Sequence, residues 1–85
     1  MKLTVRFFAS LKEQVGRDAE EIDVPAGVAT VAALRAHLRK RGGDWQAAFA
    51  EKKLVRAAVN QEMAQPAATI RAGDEVAFFP PVTGG

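Results

Sequence analysis

The chain opens on an alternation. Leu3, Val5 and Phe7 point one way, and Lys2, Thr4, Arg6 and Phe8 the other. That period of two predicts a half-buried strand. Ala9 to Ala19 reads as a connection, with Gly16-Arg17-Asp18 as its turn signal and Leu11 and Val15 to pin it down. Glu20 to Val24 reads as a second strand with Ile22 and Val24 inward, making a hairpin with the first. Pro25 and Gly27 stop it. The period then changes. Val31, Leu34 and Leu38 recur at i, i+3 and i+7 with Ala32, Ala33 and Ala36 between them, which predicts a helix over about 30–41. Thr30 is suited to cap its start, and Gly42-Gly43 to stop it.

Asp44 is placed to cap a second, short helix in which Trp45, Ala48 and Phe49 share a face. Leu54 to Asn60 is strand-like again, with Val55, Ala57 and Val59 on one side. Asn60-Gln61 follows as a turn, then Met63-Ala64 as a short return strand before Pro66. Ala72-Gly73-Asp74 forms another turn and Glu75 to Phe79 a last strand, ended by Pro80-Pro81 because proline cannot extend a central ladder. The order predicts an α+β domain over 1–85, a mixed sheet packed on one main helix with a second short helix.

Composition narrows the possibilities. Of the 41 apolar residues among 85, 17 are alanine, leaving 24 larger side chains for one modest core. Net stability is then expected in the lower part of the usual ~5–15 kcal/mol. Cysteine is absent, which removes disulfides, thiolate metal sites, iron–sulfur ligation and a cysteine nucleophile. No apolar run approaches the ~20 residues of a membrane span, and no signal-peptide pattern follows Met1, so a cytoplasmic protein is expected.

The net charge is only +2. Its densest run, Arg35, Arg39, Lys40 and Arg41, lies in the last turns of the main helix, where cations suit the negative end of the macrodipole. A solvated helix face explains it, and no aromatic-and-basic platform for nucleic acid accompanies it. His37 is the only histidine and lies mid-helix, a poor ligand or base. Glu20 and Glu21 are adjacent and point to opposite faces of a strand. Gly42-Gly43-Asp44 matches no phosphate loop. Self-contained catalysis therefore has few candidate residues.

Two features remain. Phe8 and Phe79 fall off the core face of their strands, both at the C-terminal ends. If the first and last strands are parallel neighbours, the two rings lie side by side, with Met63 extending the patch. Exposed aromatic clusters of this kind mark protein contacts. The second feature is the ending, PPVTGG. Two prolines stiffen a stalk that could project on the order of 18 Å at ~3 Å per residue. Gly84 and Gly85 follow, so backbone alone could thread a narrow channel and present its carboxylate.

FFASLKE, AVNQE and above all GDEVAFFPPVTGG resemble the small, sulfur-carrying subunit of molybdopterin synthase, over the whole chain. The resemblance implies a ubiquitin-like β-grasp fold with 80–85 as a projecting tail. It implies that Gly85 is adenylated with ATP by an enzyme similar to the ubiquitin-activating class. A sulfur donor protein would then convert it to a thiocarboxylate, which gives its sulfur to cyclic pyranopterin monophosphate. Gly84 would be the thin neck, and Thr83, Val82, Pro81 and Pro80 would line the threaded tail. Phe8, Met63 and Phe79 would dock on the large subunit, which would supply the catalytic side chains in a heterotetramer. The chain itself would bind no cofactor, metal, nucleic acid or membrane. Alternatives are a carrier for thiamine thiazole or tRNA sulfuration, a ubiquitin-like modifier that joins a target lysine, and an RNA-binding module.

Overall fold

The structure, a computed structural model, describes residues 1–81. Five strands form one sheet: β1 (Lys2–Phe7), β2 (Ala19–Asp23), β3 (Arg56–Val59), β4 (Glu62–Ala64) and β5 (Glu75–Phe79). Their spatial order is β2-β1-β5-β3-β4. The central pair, β1 and β5, is parallel, and the other neighbours run antiparallel. The sheet is mixed, as the order of elements predicts. Leu3, Val5 and Phe7 from β1 and Val76 and Phe78 from β5 are buried on one face.

Three helices cover that face: α1 (Ala9–Val15), α2 (Val31–Arg39) and α3 (Gly43–Ala48). On α2, Val31, Leu34 and Leu38 are buried, and the Thr30 hydroxyl accepts from the Ala33 amide at 3.1 Å. The helix stops at Arg39, two residues short of the expected end, and the chain reverses through Gly42 at φ 74°. Gly42, not Asp44, occupies the N-cap of α3. Asp44 lies inside the first turn, so the expected carboxylate cap is not made. Phe49, just past that helix, is fully buried and meets Phe78 edge-on at 5.2 Å. Such contacts add roughly 0.5–1.5 kcal/mol to the area each ring buries.

The segment expected to be a plain connection contains α1. Leu11 and Val15, one turn apart, are buried, and Gly16 ends the helix at φ 76°. Ala9 stands at φ 52°, in the left-handed region that alanine seldom adopts. This sharp turn, directly after Phe8, sends the chain under the sheet toward the core. The sheet therefore packs against one main helix and two short ones, not one short one.

The β3–β4 hairpin closes with Val59 opposite Glu62, so Asn60 and Gln61 are its two loop residues, at φ 50° and 70°. A two-residue loop with both residues left-handed matches the twist of its strands. Asn60 is the more tolerant of the two and is also tied to the next turn. Its side-chain oxygen accepts from the Glu75 amide, and its amide nitrogen donates to Asp74, both at 3.0 Å. Asp74 in turn accepts from the Arg71 amide at 2.8 Å, which holds the entrance to β5 in register.

Candidate functional site

Among the described residues, no element covers the face of the sheet away from the helices. Along it, β1 presents Lys2, Thr4 and Arg6, β5 presents Glu75, Ala77 and Phe79, β3 presents Arg56 and Ala58, and β4 presents Met63, as strand alternation and register require. This face divides by chemistry. At one end Lys2 lies 3.7 Å from Glu21, and Arg6 lies 3.7 Å from Glu75. At the other end are the apolar groups.

Phe7 pairs with Phe78 across the parallel ladder, and the Phe8 amide donates to the Phe78 carbonyl at 3.1 Å. Phe8 and Phe79 are therefore neighbours one step further on, the arrangement expected if the strands were parallel. The Arg6 guanidinium sits 6.0 Å from the centre of the Phe8 ring, on the same side of the sheet. Phe8 is 45% exposed and Met63 62% exposed, while Phe79 is half-buried. The α1 helix buries its apolar side in the core and leaves Phe8 uncovered.

Met63 lies opposite Ala58, which lies opposite Ala77. Ala58 on β3 thus lies between Met63 and Ala77 of β5. Across four strands at ~4.8 Å spacing the patch runs about 14 Å. Arg56 faces Phe79 across the β3–β5 ladder and rims the patch.

Pro80 and Pro81 leave β5 directly after Phe79, half-buried and outside any ladder. The apolar patch therefore flanks the point where the chain departs from the sheet. Val82, Thr83, Gly84 and Gly85 lie outside the described residues.

The cationic run at the end of α2 is not a uniformly solvated face. Arg35 donates to the carbonyls of Phe49, Ala50 and Lys53, fixing the segment after α3, and its burial lowers the pKa of the guanidinium. Arg41 forms a two-pronged pair with Glu20 at 2.8 and 2.9 Å, and Arg17 donates to the same carboxylate at 2.6 Å. These hydrogen bonds, Arg41 foremost, hold the Glu20 carboxyl below its ordinary range. Arg41 also stacks 4.4 Å from the Trp45 ring, with Arg17 at 5.6 Å.

Among the described residues, no group of three or more His, Asp and Glu is placed to hold a metal ion, and no helix is long and apolar enough to cross a membrane. His37 sits half-buried on α2.

A mixed five-stranded sheet grasping one main helix, with its last strand central and leading out past an open aromatic patch, defines a ubiquitin-like β-grasp protein. More narrowly, the chain belongs to the ThiS family, whose model matches residues 5–85. It is 48% identical to the molybdopterin synthase sulfur carrier subunit of Escherichia coli (strain K12), over 98% of this chain and 99% of that protein. It is 43% identical, over the same shares, to the subunit of that name from Haemophilus influenzae. A solved Pyrococcus furiosus structure described as molybdopterin converting factor, subunit 1, aligns with a TM-score of 0.78 at 32% identity, covering 96% of this chain and 99% of its own. The family and fold implied by the GDEVAFFPPVTGG ending are the ones found.

Proposed function

We propose that the chain is the sulfur carrier subunit of a cytoplasmic molybdopterin synthase and that its reactive group is the carboxylate of Gly85. A carboxylate resists nucleophiles because its negative charge is delocalised over both oxygens. Transfer of an adenylyl group from ATP, with release of pyrophosphate, gives a mixed anhydride whose carbonyl carbon is open to attack. Hydrosulfide delivered by a donor protein then attacks that carbon and expels AMP, leaving a thiocarboxylate. That sulfur passes to cyclic pyranopterin monophosphate in the active site of the large subunit, which provides the catalytic side chains. Two loaded carriers serve each dithiolene product.

In this reading Gly84 and Gly85 form the slender end of the tail, and Pro80, Pro81, Val82 and Thr83 the stalk that threads into the partner. Phe8, Met63 and Phe79 anchor docking. The observation that carries the reading is the parallel β1–β5 pair, which sets Phe8 beside Phe79 at the point where the chain leaves the sheet. A partner that seats on these rings is thereby positioned to receive whatever follows Pro81.

Deleting Gly84-Gly85 tests the assignment. The shortened chain should keep its thermal midpoint and its affinity for the adenylating enzyme to within a few-fold, yet transfer no sulfur. Normal turnover by the deleted form would refute the proposal.

A further inference from the structure

The open-face patch does not end at the sheet. Arg56 and Met63, which rim it, also line a cavity of about 300 Å³ on the other side of the β4 edge, between that edge and α2. Val31 from α2, and Ala57 and Phe78 from the core face of the sheet, give the cavity apolar walls. It exists because β4 is only three residues long and Ala57 and Ala64, opposite each other, are too small to fill the space toward α2. Its charge is one-sided. Among the described residues, Arg35 and Arg56 are on its lining and no aspartate or glutamate is. Arg35 is occupied by three backbone carbonyls. Arg56 is exposed and, among the described residues, takes part in no ion pair or side-chain hydrogen bond.

We infer that this cavity is a second docking subsite, for an extended segment of the large subunit that carries an apolar side chain next to a carboxylate. The apolar side chain enters between α2 and the β4 edge, and the carboxylate meets Arg56. Two observations point to this occupant. The cavity is contiguous with the docking patch through Met63 and Arg56, so a protein seated on Phe79 reaches it without a second encounter. Among the described residues, the uncommitted charge on its lining is that of Arg56, and a guanidinium pairs with a carboxylate through two parallel hydrogen bonds. The inference rests on the docking role proposed above for Phe8, Met63 and Phe79.

The test measures affinity for the purified large subunit by calorimetry at low and high salt. Arg56→Glu should weaken binding about tenfold at low salt, through lost pairing and new repulsion, and by less at high salt because rim charges are screened. Arg56→Lys should recover part of the affinity, since charge is kept and only the fork geometry is lost. In parallel, amide resonances of Val31, Ala64 and Gln65 should shift when unlabelled large subunit is added to labelled carrier. Phe79→Ala separates the two proposals. If Phe79→Ala weakens binding while Arg56→Glu does not and those amides stay unmoved, the second subsite is wrong and the docking patch stands. If neither substitution weakens binding, the docking reading itself fails. A tenfold loss with Arg56→Glu that is equal at both salt concentrations would also overturn the carboxylate pairing.

Discussion

Phe78 and Phe79 are adjacent, identical in chemistry and opposite in fate, which makes the pair a sharp test of the face assignment. Phe78 is 1% exposed and packs edge-on against Phe49. Truncating a buried phenylalanine to alanine costs about 3–5 kcal/mol in transfer and cavity terms. In a chain whose total stability is expected toward the low end of ~5–15 kcal/mol, that is much of the reserve, so Phe78→Ala should unfold at far lower urea. Phe79 is half-buried on the open face, so only part of the ~1.5–3 kcal/mol for fully burying such a side chain is at stake. Phe79→Ala should therefore cost about 1 kcal/mol or less, a shift in thermal midpoint of roughly 5 °C or less for a domain of this size. Its effect belongs in binding. A central aromatic anchor is worth about 1–3 kcal/mol, which is ~5–150-fold in affinity for the large subunit. Urea denaturation and calorimetric titration of the two variants side by side give the answer, with Phe78→Leu as a milder core control in case Phe78→Ala does not fold. Equal loss of stability in the two alanine variants, or unchanged affinity with Phe79→Ala, would refute the assignment of faces.

Other substitutions probe the supports beneath the site. Leu34→Ala should cost ~2–5 kcal/mol in urea denaturation, since Leu34 is fully buried on α2. Arg35→Ala should cost about 2 kcal/mol by the same measurement, because three carbonyls lose a charged donor, discounted for the exposed bond to Lys53. Glu20→Gln should change the acid limb of stability. Arg41 and Arg17 hold the folded carboxyl below 4.5, so its contribution is complete above that value and fades as pH falls through the lower folded one. The variant should be about 1 kcal/mol less stable at neutral pH and show a shallower decline below pH 4.5, read from urea midpoints across pH. Asp23 and Asp74, also held low, keep some slope in place.

Much of this was legible in the sequence because burial imposes periodicity. The alternation in β1 and β5 and the i, i+3, i+7 spacing in α2 named the core positions and, by exclusion, the off-face phenylalanines. Short elements with weak signals were not legible. The α1 helix has one turn of apolar spacing, no side-chain cap at Phe8, and an alanine in a left-handed conformation at its first position. Its one clear mark, Gly16, serves a helix C-cap and a simple turn equally well. The roles of Arg35 and Arg41 were hidden for a different reason. Their acceptors are backbone carbonyls 14–18 residues away and a carboxylate 21 residues away, contacts that only the folded chain creates. Arg56 became interesting by register alone, once β3 placed it opposite Phe79.

Intact-mass spectrometry tests directly whether the chain works through its terminal carboxylate. The protein is incubated with ATP, its adenylating enzyme and a sulfide source, then fragmented. The expected result is a mass change equal to one oxygen replaced by sulfur, located at Gly85 and absent when ATP is withheld. An unaltered mass with a competent adenylating enzyme, or a chain recovered joined to a lysine of another protein in place of the exchange, would contradict it.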